Sequence, residues 1–584
     1  MPPFRNLAAL CAVALAAIAA GQERPPLERY APNDTAIMVS FRDLPTVWQR
    51  MQSLSFMKAV KDPSFKPFID ALKKEVTASV EATGTAGGIE FDKLAEIVRG
   101  QVLVTIRAPT NAGPKAKLEL LVLADVAGKE DLVRGILDRA VNKAVQENKA
   151  SKRVVGEVTI LTPNKTGDAE KDRFCFTIKG GILVGADKPE VCARTAQALP
   201  GGPSNSLIQN ERLKTFRRAF AKHAKGLGDV EIFVLNARAL ADAARADLDA
   251  PPPTAGSQSV EAVGVSLCAA RGEFETLAQF MVVPRAETRL GSDVALPGRT
   301  LPTDPWAPDN AAAYLTFNVD VDKIYEQMVK QLELLGGVEQ LEDRLREFPD
   351  KANPLITSIK KDVIDPLGDR LSFVVDRGEA SQLRLLLAWK LRDSGRISHL
   401  ITGIITQLGP LVTEKQVKGF NVYVFPPLPP PTGGGRRGQA TQPPIWLGNA
   451  AVSVTKTHLV AATHVEMVDR MLNFQGQPGL AELTPASRIL SKAPEAPSAV
   501  FYLKADEFGR LLYTAIASEA VQKQANAAAS SLPKVKDAVP NFSTAIKEDK
   551  LPPFDEVKKY FLAPAGGYLT IEEGAIRAAI FSLK

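Results

Sequence analysis

The apolar run Ile37-Met38-Val39-Ser40-Phe41 follows the turn-forming Ala31-Pro32-Asn33-Asp34 and predicts a strand. The period then changes. Leu44, Val47, Trp48, Met51 and Leu54 recur at helical spacing, and Asp43 stands where a helix N-cap belongs. The same order returns later. Ala307-Pro308-Asp309-Asn310 precedes Ala313-Tyr314-Leu315-Thr316-Phe317, an offset of 307 − 31 = 276, and Asp322 is the expected cap of the helix that follows.

Further pairs keep that order. Gly100 to Val104 is matched by Gly368 to Val374, and Leu118 to Val126 by Leu383 to Leu391, each pair reading as neighbouring strands of a hairpin. Helical stretches at 131–145 and 397–408 come next, then strands opened by Gly156 and Gly419. Phe176 to Ala186 is matched by Val452 to Ala462, again at offset 276, as a hairpin running into a helix. Asp187-Lys188-Pro189-Glu190 and Thr463-His464-Val465-Glu466 open those helices and read as capping boxes. Ile232 to Leu235 resembles Val500 to Leu503, and the strand pair around Gly272 resembles that around Gly574.

Hairpins outnumber strand-helix-strand units, so the expected fold class is α+β: two related repeats, each a mainly antiparallel sheet packed with helices. The expected domains are a signal peptide at 1–20, a first repeat at 21–284, a linker at 285–305 rich in Pro, Gly and polar residues, and a second repeat at 306–584. A length of 584 residues independently calls for two to four domains. Two insertions distinguish the second repeat, a Pro- and Gly-rich loop at 426–444 and a longer helical region at 525–555.

The N-terminus bears on compartment. Arg5 precedes the 14 apolar residues Leu7 to Ala20, too few for the roughly 20 that span a bilayer, and Ala17-Ile18-Ala19 offers a signal-peptidase site. The chain is therefore expected to be exported, periplasmic or extracellular, with no integral membrane segment after signal cleavage. A net charge of +6 over 138 charged side chains (72 + 66) supplies no dedicated phosphate-binding face, so nucleic acid is not an expected partner.

At APNDTAIMVSFRDL, and again at APDNAAAYLTFNVDV, the chain resembles a family of exported bacterial proteins classed as a domain of unknown function. The second copy departs from that pattern, with Val319-Asp320 where Asp43-Leu44 stand in the first. The resemblance implies export and a duplicated α+β fold, and carries no catalytic residue.

The residues offer little chemistry. The four histidines, His223, His399, His458 and His464, have no zinc-type spacing, and the 276 offset puts Ile182 and Lys188 opposite His458 and His464. Cys175 and Cys192 match Ala451 and Val468, which reads as core packing, with one disulfide between them as the alternative. Gly433 to Gly438 lacks the Lys-Ser/Thr ending of a phosphate-binding loop. No catalytic, cofactor-binding or metal-binding residue is assigned, and no cofactor is expected.

The expected function is that of a non-enzymatic binding or scaffolding protein of the bacterial cell envelope, with an envelope protein or small ligand as partner. A groove between the helices bearing Trp48 and Tyr325 is the expected location. The alternative is an exported hydrolase with a carboxylate-based site; a third reading makes the 426–444 loop the contact of a sensor or inhibitor.

Overall fold

In the computed structural model, the residues described are 25–71, 97–108, 118–164, 174–199, 201–224, 226–248, 259–285, 295–333, 337–346, 355–377, 383–426, 449–474, 478–507, 509–510, 513, 552–561, 563–572 and 574–584. The signal-peptide region, the 426–444 loop beyond Pro426 and nearly all of 525–555 lie outside them. The chain divides into two units. Unit 1 comprises Met1–Glu287, Gly509–Leu562 and Leu583–Lys584; unit 2 comprises Thr288–Phe508 and Ala563–Ser582.

Ten strands belong to unit 1: β1 (Thr35–Phe41), β2 (Val102–Arg107), β3 (Glu119–Asp125), β4 (Ala150–Val155), β5 (Val158–Pro163), β6 (Phe174–Lys179), β7 (Ile182–Ala186), β8 (Val230–Val234), β9 (Val260–Ala269) and β10 (Phe274–Pro284). They pair antiparallel in the order β4-β5-β6-β7-β3-β2-β1-β8-β9-β10. The expected hairpin of Gly100 to Val104 with Leu118 to Val126 is the β2–β3 pair. Gly156 has a φ of 59°, a left-handed conformation that costs glycine little, and turns β4 into β5 rather than opening a strand.

Unit 2 holds β11 (Ala313–Asn318), β12 (Leu367–Arg377), β13 (Leu383–Leu391), β14 (Thr413–Val417), β15 (Phe420–Val424), β16 (Ala451–Val454), β17 (His458–Ala462), β18 (Ala499–Leu503), β19 (Ala565–Glu572) and all but the last residue of β20 (Ala575–Leu583). Their antiparallel order is β14-β15-β16-β17-β13-β12-β11-β18-β19-β20. The fold is α+β with extended antiparallel sheet in each unit.

Alternation along the strands gives each sheet two faces. In unit 1 one face carries Met38, Leu103, Leu123 and Phe233, all fully buried. Helix Glu211–Ala224 lies on it, with the Phe216 ring 5.1 Å from that of Phe233. Gly264 in β9 admits that helix, since a Cβ there would sit 2.8 Å from Phe216 Cδ1. The other face packs Val104, Val122 and Ala124 against Val133, Leu137 and Val141 of helix Glu130–Gln146.

Unit 2 is layered alike. Tyr314, Val374, Val500 and Tyr502 are buried on one face, where Gly566 in β19 makes room for Ile489 of helix Thr484–Leu490. The other face packs Leu371 and Leu391 against Ile397 of helix Ser394–Leu408. A Cβ on Gly566 would run into Ile489 and lie 2.5 Å from the Phe501 carbonyl oxygen, a backbone atom that cannot step aside. Gly566→Val is therefore expected to destabilise by about 1–3 kcal/mol. Gly135→Ala, in a helix and with nothing within 4 Å of the new Cβ, should instead stabilise by up to about 1 kcal/mol; denaturant midpoints measure both.

The helix starts correct two expectations. Asp43 caps as expected, its carboxylate accepting from Thr46 N at 3.2 Å. Asp320 rather than Asp322 caps helix Val321–Glu333, accepting from Lys323 N at 3.1 Å, while Asp322 pairs with Lys360. Neither capping box forms. Asp187 accepts from Leu120 N and Thr463 from Leu385 N, both at 3.0 Å, so these side chains extend the β3–β7 and β13–β17 ladders by one bond instead of capping a helix.

Residues 509–562, part of the 306–584 range read from the sequence as the second repeat, belong to unit 1. There Phe554 and Val557 pack with Ala59 and Phe65, and the Tyr560 hydroxyl donates to Asp62 at 2.5 Å.

Candidate functional site

Burying charge is costly unless it is paired, so the polar groups inside each unit come first. Glu28 lies in a 3-10 turn ahead of β1 and is 0% exposed; Glu231 in β8 is 1% exposed. Arg217, on the helix above them, donates to both, at 2.7 Å and 3.1 Å to Glu231 Oε2 and in a close pair to Glu28 Oε1. Arg42 adds a second cation 3.5 Å from Glu231 and 3.8 Å from Glu28. Burial alone would raise the pKa of Glu28, but the charges of Arg217 and Arg42 outweigh it and hold the carboxyl below its ordinary range. Gln101 completes the latch, accepting from Leu27 N at 2.8 Å and donating to Ser40 at 2.9 Å.

Unit 2 has a latch of its own. Asp304, 1% exposed and ahead of β11, accepts from Arg370, from the Tyr314 hydroxyl at 3.0 Å and from Ser372. Burial, then the Asp304 charge, pushes the Tyr314 phenol well above its usual range. In both units each of these carboxylates is engaged by guanidinium or hydroxyl donors inside the protein, although Oε2 of Glu28 is buried without a hydrogen-bond partner. That arrangement holds a segment onto a sheet and presents no carboxylate pair to a substrate.

The groups weighed from the sequence sit apart. Nδ1 of His458 is 2.9 Å from the Thr457 hydroxyl, and Nδ1 of His464 is 3.0 Å from that of Thr463. Burial lowers the pKa of both imidazoles. His399 lies on the exposed side of helix Ser394–Leu408. No group of His, Cys, Asp and Glu suited to a metal ion occurs among the described residues. Cys175 and Cys192 are buried and no disulfide joins them; burial with the nearby Cys175 pushes the Cys192 thiol up to about 12, which keeps it protonated. Asp187, half-buried just past the end of β7, is raised to about 6 by desolvation, which outweighs the Leu120 amide and the Lys188 charge.

The expected groove residues fall in different units. Trp48 is half-buried on helix Leu44–Ser53 of unit 1; Tyr325 is half-buried on helix Val321–Glu333 of unit 2, with Lys360 Nζ 5.6 Å from its ring centre.

The unspent surface is apolar. In unit 1 the ladder aligns Val39, Ile232, Val265 and Phe280 in one row across four strands. Ile232 is 39% exposed, Phe280 36% and Leu267, one row over, 36%. In unit 2 the corresponding row is Leu315, Phe501, Gly567 and Ile580, with Ile580 41% exposed. Beside it Leu315, Phe373, Val375, Leu385, Phe501 and Leu503 line a half-open cavity of about 390 Å³. In unit 1 the exposed residues alternate with Glu231, Ser266 and Gln279 on the opposite face of β8, β9 and β10, so the pattern shows an apolar face there but not whether that face is covered.

No helix among the described residues is long and apolar enough to cross a membrane. No family model matches the chain, and no curated protein matches it. A solved structure of TP0453, in crystal form IV, is similar over 44% of this chain and 80% of its own, at 9% identity and a TM-score of 0.21, and at that score the likeness carries no argument.

Proposed function

We propose that the chain is an exported, non-enzymatic binding or scaffolding protein of the bacterial cell envelope, built from two related α+β repeats. The observation that carries the binding role is the exposed apolar sheet face, Ile232, Leu267 and Phe280 in unit 1 and Ile580 in unit 2. Large contiguous apolar surface on a folded chain commonly marks an interaction site. The duplication is supported by the matching strand orders and by the bridges Pro32 to Ser206 and Pro308 to Gly479, with Pro308 at 32 + 276. Export rests on the Arg5, Leu7 to Ala20 and Ala17-Ile18-Ala19 pattern.

The test is native mass spectrometry of the protein purified gently from its own host's envelope fraction. The expected result is a mass above that of the chain cleaved near residue 20, and loss of the added mass in Ile232→Ser/Phe280→Ser. A bare, uncleaved chain recovered from the cytosol would overturn both the export and the binding reading.

A further inference from the structure

We infer that the cavity in unit 2 is a binding site for a single aliphatic chain, the acyl chain of a fatty acid or of a lipid. The inference rests on the binding role proposed above and assigns its ligand.

The cavity is floored by β11, β12, β13 and β18, and every side chain named above as lining it is aliphatic or a phenylalanine. Tyr314 also borders it, but its hydroxyl is committed to Asp304. On β12, Arg377 stands two residues beyond Val375 and so on the same face, and its guanidinium is taken by Glu507. Recognition there falls to apolar contact, the driving force that acts on a hydrocarbon and is indifferent to its headgroup. Size sets the occupant. At about 30 Å³ for a water-sized group, 390 Å³ holds on the order of a dozen methylene-sized units. A folded partner would need about 800 Å² of surface on this side, far more than one cavity offers.

Unit 1 makes the contrast. By ladder register Phe373, Val375 and Leu385 correspond to Val104, Ile106 and Leu120. Those three are 3%, 7% and 4% exposed and packed in the core, whereas all three in unit 2 are only partly buried. The Phe501 ring that borders the cavity lies over Gly567, where a Cβ would sit 2.6 Å from Phe501 Cε1. The same sheet position is thus filled in one unit and open in the other.

The experiment is calorimetric titration of the full chain with octanoate, decanoate, dodecanoate and dodecanol. One equivalent of dodecanoate should bind, more tightly than octanoate, with dodecanol within a few-fold of it and with a negative heat-capacity change. Val375→Thr, which keeps shape but buries a hydroxyl, should weaken dodecanoate about tenfold. Leu315→Trp should abolish binding by filling the space; should it fail to fold, Val375→Thr carries the test. Phosphatidylcholine vesicles separate the sources: binding of the free acid without extraction of lipid identifies a fatty-acid site, and extraction identifies a lipid site. Absence of dodecanoate binding overturns the inference, as does binding unchanged in a folded Val375→Thr. Loss of binding in Ile232→Ser with none in Val375→Thr would move the site to unit 1, overturning this inference while leaving the proposed function standing.

Discussion

Replacing Arg217 with methionine is expected to destabilise unit 1 by about 3–5 kcal/mol, the loss typical when one partner of a buried ion pair is removed. Methionine keeps most of the side-chain volume, so the effect is electrostatic. Glu28 and Glu231 are at most 1% exposed and share this guanidinium; without it only Arg42, 3.5 Å and 3.8 Å away, remains to face them. The pH dependence supplies the check on mechanism. Glu28 has a folded pKa held below 4.5, so its contribution in the parent protein is present above 4.5 and lost as pH falls through the depressed folded value. In Arg217→Met, burial dominates instead and favours the protonated acid, so the gap between parent and variant should narrow as pH falls below neutrality. Urea unfolding of both proteins at several pH values measures it. A gap that stays constant down to pH 4 would mean that packing, not charge, is what Arg217 supplies.

Much of the strand plan was legible in the chain. β7 and β17 run from Ile182 to Ala186 and from His458 to Ala462, positions 276 apart, as the hairpin motif predicted. The β2–β3 and β12–β13 hairpins also fall where their apolar runs placed them. Local patterning suffices there because the partners are near in sequence. It did not suffice for the caps. Asp187 and Thr463 have cap-forming side chains, but each lies one step past the end of a ladder, where the amide of Leu120 or Leu385 on the adjacent strand takes its oxygen. A tertiary donor outcompeted the local one. The latch was still less visible. Glu28 and Arg217 are 189 residues apart, and nothing near either one marks it as half of a pair. The 276 offset does carry a trace, since 28 + 276 falls on Asp304, the buried acid of unit 2. The open apolar faces escaped notice for a different reason: burial depends on which strands acquire a covering helix, and that is decided by packing rather than by the strand's own residues.

Asp304 tests whether unit 2 relies on its latch as unit 1 does. Asp304→Ala removes the acceptor shared by Arg370, Tyr314 and Ser372, leaving a guanidinium 16% exposed and a buried phenol without it, while Ser372 keeps the Thr316 hydroxyl at 2.9 Å. The expected cost is again about 3–5 kcal/mol, and at about 2–4 °C per kcal/mol for domains of 150–250 residues it should lower the melting temperature by roughly 6–20 °C. Asp304→Leu combined with Arg370→Met separates loss of the pair from loss of the segment it holds. Two apolar residues of similar volume leave no charge uncompensated, so the double variant should recover most of the lost stability. Tyr314 then marks what is not recovered, because its hydroxyl still lacks Asp304 as acceptor, at about 1–3 kcal/mol for an unmade buried hydrogen bond, whereas Ser372 can turn to Thr316. Adding Tyr314→Phe to the double variant should return part of that remainder. If the double variant is no more stable than Asp304→Ala, the acid matters through its hydroxyl partners, and Arg370 is a bystander near the start of β12.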